Sequence, residues 1–507
     1  MANFDYAFWN LQPNILAHGE QCFEDLAEHF GIDVYSQELS DIEDRAKNDV
    51  LAALSNAYFH GENPFVDSKA FLLENLINAC IKRYHKTKEK IMFTLNKEQT
   101  KAFEIMASGK NVFLTGNAGT GKSFLIKTFI GFCQSRGKNI MVTAPTGIAA
   151  LNINGSTIHR AFKVPLDPIG PMTRVSKVTE AVKKADIIII DEISMVRFDV
   201  FSYIIRAINK ACQIIKKAKQ LIVVGDFFQL PPVLTDYQRN VLQKLWQQDI
   251  QKGFAFEASE WSDMHFQNIV LTHVVRQNEP QFIESLNHIR RGNTAALAAL
   301  CKLCTANPLN DAIYICSTNR EAAEFNHNSM DKLDTEEHYF TADVIGKVSA
   351  NDKAADDEIC LKVGARVMTL VNNPEGYYKN GSMGYVTDFV DEGVVVQIDD
   401  GIKIIVQPYT WEIVEYDVNN GKLIKNVIGS YTQIPLKLAY AITVHKSQGQ
   451  TFSKVNLNPY CFCEGQLYVA LSRASNSKGL YIKKRYINDK WLMTSSKVIA
   501  FYNSIEC

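Results

Sequence analysis

The chain has 507 residues, enough for three or more domains, with 54 basic against 55 acidic side chains. Its apolar share of 46% and charged share of 21% are those of an ordinary globular protein. No apolar run approaches the roughly 20 residues that span a bilayer, and the near-neutral charge argues against a dedicated polycation. The N-terminal residues also lack the basic start and apolar stretch of a signal peptide.

The eleven cysteines are scattered along the chain, which favours reduced thiols in a cytoplasmic or nuclear compartment over a disulfide framework. Cys301 with Cys304, and Cys461 with Cys463, form close pairs in the sequence. Neither pair has a partner pair at the spacing of a zinc site, so free thiols are the favoured interpretation.

Residues 1–90 carry 15 acidic against 8 basic side chains, and segments 15–30 and 71–84 show the apolar spacing of helices. This composition predicts a helical accessory domain that does not grip phosphate, because such binding depends on Lys and Arg. One interpretation is a cap over apolar surface, and the other is a docking site for a replication or repair protein. The basic run at 81–90 is typical of a solvated linker.

A strand, a glycine-rich loop and a helix follow one another at residues 111–128, NVFLTGNAGTGKSFLIKT. The loop matches G-x-x-x-x-G-K-[ST], in which glycines turn backbone N–H groups toward phosphates and the helix N-terminus adds positive charge. Lys122 is expected to reach the β- and γ-phosphates, and the Ser123 hydroxyl to ligate Mg²⁺. The predicted nucleotide ligands are Gly116, Asn117, Ala118, Gly119, Thr120, Gly121, Lys122 and Ser123.

From residue 93 onward, short apolar runs alternate with helical segments, the pattern of a doubly wound parallel sheet. Because ligands bind at the carboxyl ends of such strands, functional side chains are expected there. The predicted strands of the first sheet are 112–115, 140–144, 187–190, 221–224 and 269–271.

Two of these strands end in polar motifs that suit nucleotide hydrolysis. The isoleucine strand 187–190 is followed by Asp191, expected to hold Mg²⁺, and by Glu192, expected to deprotonate the attacking water. The strand 221–224 runs into GDFFQLPP, where the amide of Gln229 is expected to sense the γ-phosphate. Each motif is weak alone and becomes specific in this order after a phosphate-binding loop.

The ordered set of motifs resembles the Pif (petite integration frequency) helicases of superfamily 1B, which walk 5′→3′ on single-stranded DNA. The resemblance covers roughly residues 93–485, most of the chain. It departs from the eukaryotic members at 199–220, where only the helical part of their signature segment is recognisable, and this favours a bacterial or viral member. The segments that carry the resemblance are 95–99, 143–150, 155–159, 187–195, 225–232, 271–277, 318–320, 444–451 and 468–474.

The resemblance implies an α/β fold with two RecA-like P-loop motor domains, small insertions and a helical N-terminal region. It places residues 91–264 in motor domain 1A, with a wedge-like 1B insertion at about 156–182. Residues 265–507 form motor domain 2A, in which alternating strands and turns at about 340–434 match an SH3-like 2B barrel. The expected strands of the second sheet are 313–316, 438–443, 455–457 and 480–482.

The resemblance also assigns roles to residues outside the P-loop. Gln99 would read adenine, and Gln448 and Gly449 would contact the nucleotide. Arg276 and Arg473 would face the phosphates across the cleft, where a planar guanidinium suits a transferring phosphoryl group. The expected DNA contacts are Pro145, Thr146, Gly147, His159, Phe162, Thr443, His445 and Lys446.

These observations together predict an ATP- and Mg²⁺-dependent 5′→3′ DNA helicase of replication, repair or recombination. Its expected partners are single-stranded DNA and forked or tailed duplex, with no membrane, and a monomeric state is expected. A RecD/Dda-like helicase is the alternative with the same fold. A DNA-stimulated ATPase that remodels without unwinding is the alternative from another class.

Overall fold

A computed structural model describes residues 95–275, 277, 279–373, 377–378, 380–399, 401–419, 422–483 and 489–505. The expectation for residues 1–90 and the role of Arg276 lie outside the described residues. The described chain forms a small unit of residues 95–101 and 125–139 and a large unit of residues 102–124 and 140–505. Both parallel sheets and every described candidate site residue except Gln99 belong to the large unit.

The first sheet of the large unit has six parallel strands in the spatial order β3-β2-β4-β5-β1-β6. Its central strands are apolar and fully buried, as expected for strands covered on both faces. In chain order the strands are β1 (Val112–Gly116), β2 (Ile140–Ala144), β3 (Ser156–Thr157), β4 (Ile187–Ile190), β5 (Gln220–Val224) and β6 (Gln267–Leu271).

Helices alternate with these strands and begin at polar capping residues where the sequence supplies them. Thr146 and Thr179 accept a hydrogen bond from the third helical N–H, and Thr235 with Gln238 forms a reciprocal capping box. The helices are α1 (Lys97–Ala107), α2 (Lys122–Gln134), α3 (Gly147–Asn152), α4 (Ile158–Phe162), α5 (Glu180–Lys184), α6 (Phe198–Ile215), α7 (Asp236–Trp246) and α8 (Ser259–Asp263).

The second sheet has four parallel strands in the order β18-β7-β19-β20, which are β7 (Ile313–Cys316), β18 (Ala441–Thr443), β19 (Val455–Leu457) and β20 (Leu480–Ile482). Its apolar core is separate from that of the first sheet. The helices of this part are α9 (Pro280–Arg290), α10 (Thr294–Leu303), α11 (Asn319–Met330), α12 (Gln466–Leu471) and α13 (Ser496–Ile505).

Helix α13 follows the second sheet in sequence but packs into the core of the first. Phe501 stacks on Phe256 with ring centroids 4.3 Å apart, and it lies within 6 Å of the rings of Phe113 and Trp261. Val498 and Tyr502 are buried in the same cluster. Helix α13 therefore ties the second half of the chain to the first sheet.

Antiparallel strands occupy the stretch between β7 and β18. A five-stranded sheet has the order β14-β13-β12-β11-β17, β8 pairs with β10, and β9 extends the long hairpin β15-β16. The strands are β8 (His338–Thr341), β9 (Asp343–Gly346), β10 (Glu358–Leu361), β11 (Arg366–Thr369), β12 (Met383–Val390), β13 (Gly393–Ile398), β14 (Lys403–Val406), β15 (Tyr409–Asn419), β16 (Lys422–Gln433) and β17 (Leu436–Leu438).

The hairpin β15-β16 reaches the edge of the first sheet. The backbone N–H of Val142 donates to the hydroxyl of Tyr416 at 3.0 Å, and Tyr416 is buried in the first core. Lys163 pairs with Glu415 beside this contact. The hairpin thus brings the antiparallel part into contact with the first sheet.

The two predicted parallel sheets are confirmed, with strand bounds that agree within two residues in most cases. The predicted strand 438–443 is wrong as one element, because the chain forms the antiparallel strand β17 and then the parallel strand β18. The strand β3 was missed, since two residues give no apolar pattern. Within the described residues, no helix combines the length and apolarity needed to cross a membrane.

Candidate functional site

The P-loop follows β1 and reaches the start of α2. Gly116, Gly119 and Gly121 have positive φ angles of 144°, 82° and 82°. A Cβ on Gly116 would overlap the carbonyl oxygen of Leu271 in the neighbouring strand β6, so only glycine fits there. Lys122 Nζ donates to the carbonyl oxygens of Gly116 (2.8 Å) and Asn117 (3.0 Å), at the centre of the loop.

The Asp-Glu motif stands at the carboxyl end of β4, as predicted. The N–H of Asp191 donates to the carbonyl of Thr143 on β2, and the N–H of Glu192 donates to Asp191 Oδ1, both at 2.9 Å. Glu192 adopts a left-handed conformation with φ 51°, which ends the strand and redirects its side chain. The carboxylates of Asp191 and Glu192 therefore leave the strand at adjacent positions.

Burial raises the pKa of Glu192 to about 7, with the neighbouring Asp191 carboxylate acting in the same direction and the charges of Lys122 and Arg473 opposing it. Burial also lowers the pKa of Lys122, while the charges of Asp226 and Glu192 raise it. Acidic and basic groups thus meet in a buried cluster. Such a cluster is typical of a catalytic site.

The predicted sensor Gln229 lies in the turn after β5. Its N–H donates to the carbonyl of Asp226 (2.9 Å), and its amide nitrogen lies 3.5 Å from Asp226 Oδ2. Asp226 therefore sets both the backbone turn and the direction of the amide.

The second half of the chain completes the site through Gln448. Its side-chain nitrogen donates to Glu192 Oε2 at 2.9 Å and lies 3.5 Å from Gln229 Oε1. The neighbouring Gly449 is exposed, with φ 80°. Gln448 thus touches both residues expected to handle the γ-phosphate end of a nucleotide.

A second bridge links helix α12 to the nucleotide-site half. The hydroxyl of Tyr468 accepts a hydrogen bond from the P-loop N–H of Ala118 at 3.1 Å. Gly465, just before α12, has φ 72° and lies so close to the backbone oxygens of Phe228 and Gln229 that a Cβ would overlap them. Loops of both sheets therefore meet at the phosphate-binding end.

The structure places Arg473 inside the second half instead of free in the cleft. Its guanidinium donates to the carbonyls of Val469 (2.9 Å), Gln450 (3.1 Å) and Ser447 (3.3 Å) and to the hydroxyl of Ser472 (2.7 Å). The guanidinium thus ties the 444–451 segment to the end of α12, and its charge acts on Glu192.

Gln277, which follows Arg276 in the chain, lies beside this arginine. Its side-chain nitrogen is 3.3 Å from the carbonyl oxygens of Ser472 and Ala474, on either side of Arg473. The 271–277 segment, which was expected to supply Arg276, therefore contacts the backbone on both sides of Arg473.

Gln99 belongs to the small unit. The N–H of Asn96 donates to Gln99 Oε1 (3.1 Å), and the N–H of Gln99 donates to Asn96 Oδ1 (2.9 Å). These reciprocal bonds fix the start of α1 in the manner of a capping box.

The expected DNA-contacting residues have different surroundings. Thr146 caps α3 between half-buried Pro145 and buried Gly147, while Lys446 is exposed and His159 and His445 are half-buried. Burial lowers the pKa of both histidines below its usual value, so each is mainly neutral at pH 7.

Two of the expected DNA-contacting residues have buried side chains that cannot face a DNA strand. Phe162 is 1% exposed and packs in the first core, so its ring offers no face for base stacking. Thr443 is buried, and its hydroxyl lies 3.4 Å from the N–H of Lys446, which it helps to position. The stacking contact expected of Phe162 is therefore not supported by the structure.

Sequence reasoning missed Asn287, Arg290 and Tyr502. Asn287 Oδ1 accepts from the side chain of the P-loop residue Asn117 at 2.7 Å, and Arg290 and Tyr502 reach Asp226. All three lie outside the recognised motifs, on helices far from the P-loop in sequence, so no local signal marks them. Within the described part of the chain, no group of three or more His, Cys, Asp or Glu side chains is arranged to hold a metal ion.

Comparison with known proteins agrees with this geometry. Residues 94–299 match the family model described as PIF1-like helicase. The ATP-dependent DNA helicase Pif1 of Campylobacter jejuni is 33% identical over 436 residues, which cover 77% of this chain and 94% of that protein.

Solved structures give the same result. The structure of Bacteroides sp. Pif1 in complex with ADP-AlF4 is 34% identical, covers 81% of this chain and 97% of that one, and has a TM-score of 0.72. Bacteroides Pif1 bound to single-stranded DNA has the same identity and coverage, with a TM-score of 0.58. This chain belongs to the PIF1-like helicase family.

Proposed function

We propose that the protein translocates 5′→3′ on single-stranded DNA and unwinds the duplex ahead of it, as an ATP-dependent DNA helicase. The observation that carries this proposal is the contact of Gln448 with Glu192 and Gln229. It joins a segment of the second sheet to the two hydrolytic motifs of the first. Through such a link, ATP binding and hydrolysis would change the relative position of the two DNA-binding halves of the protein.

ATP would bind with its phosphates in the P-loop, against Lys122 and the backbone N–H groups of residues 116–121. Mg²⁺ fits Ser123 and Asp191, because both supply hard oxygen ligands beside the loop and the nucleotide phosphates complete such a site. The ion would neutralise developing phosphate charge during hydrolysis. Gln99 is the proposed reader of the adenine, as the family resemblance implies.

Hydrolysis requires a base and charge stabilisation. Glu192 is the proposed base, since its raised pKa matches the pH at which proton transfer from water is efficient. Gln229 would orient the γ-phosphate or the attacking water. Arg276 and Arg473 would supply positive charge to the transition state, Arg473 from its fixed place beside the 444–451 segment.

The DNA strand would run over two loops at the carboxyl ends of β2 and β18. Pro145, Thr146 and Gly147 lie on the first, His445 and Lys446 lie on the second, and His159 follows the first loop in sequence. Thr443, the last residue of β18, would take part by positioning Lys446. Exposed Lys446 suits a phosphate contact, and a half-buried neutral histidine suits a contact with a base or sugar.

The antiparallel part between β7 and β18 is the proposed 2B insertion, with an SH3-like fold. The segment around 156–182, which holds α4 and the start of α5, is the proposed 1B insertion. The hairpin β15-β16 meets this region through Lys163 and Glu415, so the two insertions can act together on DNA. The proposed boundaries of 91–264 and 265–507 separate the two parallel sheets.

We propose a monomer as the working unit. Forked or 5′-tailed duplex is the proposed substrate, in the cytoplasm of a bacterium or infected cell or in a nucleus. A replication or repair protein would dock on residues 1–90.

Unwinding of tailed duplexes tests the proposal directly. A duplex with a 5′ single-stranded tail should be separated with ATP, and one with a 3′ tail should not. Efficient separation of only the 3′-tailed duplex would overturn the polarity. ATPase stimulation by single strands without any strand separation would favour the remodelling ATPase instead.

A further inference from the structure

Arg290, which lies outside the helicase motifs, forms a buried ion pair with Asp226 of the 225–232 segment. Arg290, the last residue of α9, is 4% exposed, and Asp226, in the turn after β5 that carries Gln229, is 1% exposed. The guanidinium Nη2 lies 2.7 Å from Asp226 Oδ1, and Nε lies 3.1 Å from Oδ2. Burial disfavours the charged form of Arg290, but Asp226 outweighs it and raises the pKa of the guanidinium above its usual value.

Aromatic rings enclose this pair. The guanidinium lies 4.2 Å from the ring centre of Phe228 and 4.9 Å from that of Tyr502. A planar cation stacked on rings and paired in bidentate fashion has little freedom to move. The ion pair is therefore a fixed structure at the junction of the two halves.

The Tyr502 hydroxyl connects the pair to the P-loop. It lies 2.5 Å from Thr115 Oγ1, accepts from the N–H of Phe227 (3.2 Å) and donates to Asp226 Oδ1 (3.3 Å). Thr115 directly precedes Gly116, where the P-loop begins. One hydroxyl on α13 thus joins β1, which leads into the P-loop, to the turn after β5.

Helix α9 reaches the nucleotide site at two points on one face. Asn287 and Arg290 are three residues apart and so lie on the same side of the helix. Asn287 accepts from Asn117 in the P-loop, and Arg290 holds Asp226. The same helix starts just after the segment that contains Gln277, beside Arg473.

We propose that Arg290 and Tyr502 are positioning residues for ATP hydrolysis, which hold Asp226 so that it orients Gln229 and leaves Lys122 to the nucleotide phosphates. This inference rests on the proposed function of the site. Asp226 pairs with Arg290, and its charge also acts on Lys122, where it opposes the lowering of the pKa by burial. With Arg290 in place the carboxylate is already paired with a cation, whereas without it the charge of Lys122 would be left to balance that of Asp226.

A hydroxyl deletion separates this role from simple stability. Tyr502→Phe keeps the buried ring and removes only the hydroxyl. Tyr431→Phe is the matched control, because Tyr431 in β16 is also fully buried. Its hydroxyl also bonds main-chain atoms, donating to the carbonyls of Ala355 (2.8 Å) and Asp356 (2.9 Å).

Both variants should lose comparable thermal stability. At saturating single-stranded DNA, Tyr502→Phe should lower kcat for ATP roughly tenfold with KM within about twofold, as for a lost hydrogen bond near a charged group. Tyr431→Phe should leave kcat unchanged. Equal kcat values for Tyr502→Phe and the parent, or an equal loss in both variants, would overturn the inference. A parent protein without ATPase activity would instead overturn the proposed function.

A charge rescue tests the second half of the proposal. Arg290→Met should weaken ATP binding about tenfold, since Asp226, without its ion pair, then competes for Lys122. Adding Asp226→Asn should restore the affinity but leave kcat low, because Gln229 is still without its positioning carboxylate. Folded Arg290→Met with parental affinity, or a double variant without recovery of binding, would contradict it.

Discussion

The side-chain nitrogen of Gln448 donates to Glu192 Oε2 at 2.9 Å, linking the 444–451 segment of the second sheet to the proposed general base on the first. The same nitrogen is 3.5 Å from Gln229 Oε1. One amide thus contacts the proposed base and the proposed γ-phosphate sensor, and segments that belong to the two parallel sheets meet at the proposed hydrolytic site.

Replacing the base should stop hydrolysis without loss of nucleotide binding. Glu192→Gln keeps the shape of the side chain and removes the group that takes the proton from water, so DNA-stimulated kcat should fall at least about 100-fold. Lys122→Ala should also abolish turnover, but by weakening nucleotide binding. ATPase rates and binding of a fluorescent nucleotide distinguish the two. Near-parental turnover in folded Glu192→Gln would remove the role from this residue.

Loss of the Gln448 bridge should uncouple the two halves. Gln448→Met has a similar length but no hydrogen-bond donor, so the contact with Glu192 is lost. A hydrogen bond to a charged group contributes about 1.5–3 kcal/mol, and DNA-stimulated kcat should therefore fall by roughly one to two orders of magnitude.

The rate at which Gln448→Met unwinds a tailed duplex should fall together with its DNA-stimulated kcat. His327→Met, on an exposed face of α11, is a control that should change neither rate. A Gln448→Met protein with parental stimulation by DNA would show that the contact has no part in the cycle.

Arg473 should act through rate more than affinity. Arg473→Lys retains the positive charge but cannot keep the bonds to the carbonyls of Ser447, Gln450 and Val469. We expect a large loss of kcat with a small change in ATP affinity, and the same pattern for Arg276→Ala. Steady-state kinetics with a parallel melting curve give the comparison. A change in KM alone would argue against catalytic roles for both arginines.

The sequence predicted the parts of the site that local patterns encode. The P-loop needs glycines at fixed spacing, and Asp191 and Gln229 follow short apolar strands, so each could be placed at the carboxyl edge of a sheet before the fold was known. For Gln448 the family resemblance implied only a contact with the nucleotide, and its hydrogen bond to Glu192 was not predicted.

Long-range packing was not accessible in the same way. Tyr502 lies on an ordinary amphipathic helix, and its partner Thr115 is 387 residues earlier in the chain. Phe162 shows the opposite error, since a ring near a DNA-contacting motif in sequence packs in the core. Burial depends on tertiary contacts that neither spacing nor composition describes.

Lys437 should contribute to DNA binding in a pH-dependent way. It is half-buried on β17, close to Lys446, and both its burial and the charge of Lys446 lower its pKa, to about 7. A lysine with this pKa is charged at pH 6 and mostly neutral at pH 8. Its attraction for a backbone phosphate should therefore be present below pH 7 and lost as the pH rises through that value.

Binding of single-stranded DNA, measured by fluorescence anisotropy from pH 6 to pH 8, tests this behaviour. Lys437→Met should weaken DNA binding at pH 6 and reduce the slope of log K against log salt concentration by about one. At pH 8 the substitution should have little effect on DNA binding. Lys403→Met, at an exposed lysine on β14, should leave the pH profile unchanged.

Stability provides an independent check on the same residue. Because the pKa of Lys437 is lower in the folded than in the unfolded chain, its protonation opposes folding below pH 7, and this penalty fades as the pH rises toward the usual lysine value. Lys437→Met should therefore raise the melting temperature more at pH 6 than at pH 9. A variant that binds DNA like the parent at pH 6 would exclude Lys437 from the strand path, and an equal shift in melting temperature at both pH values would show that its pKa is not lowered.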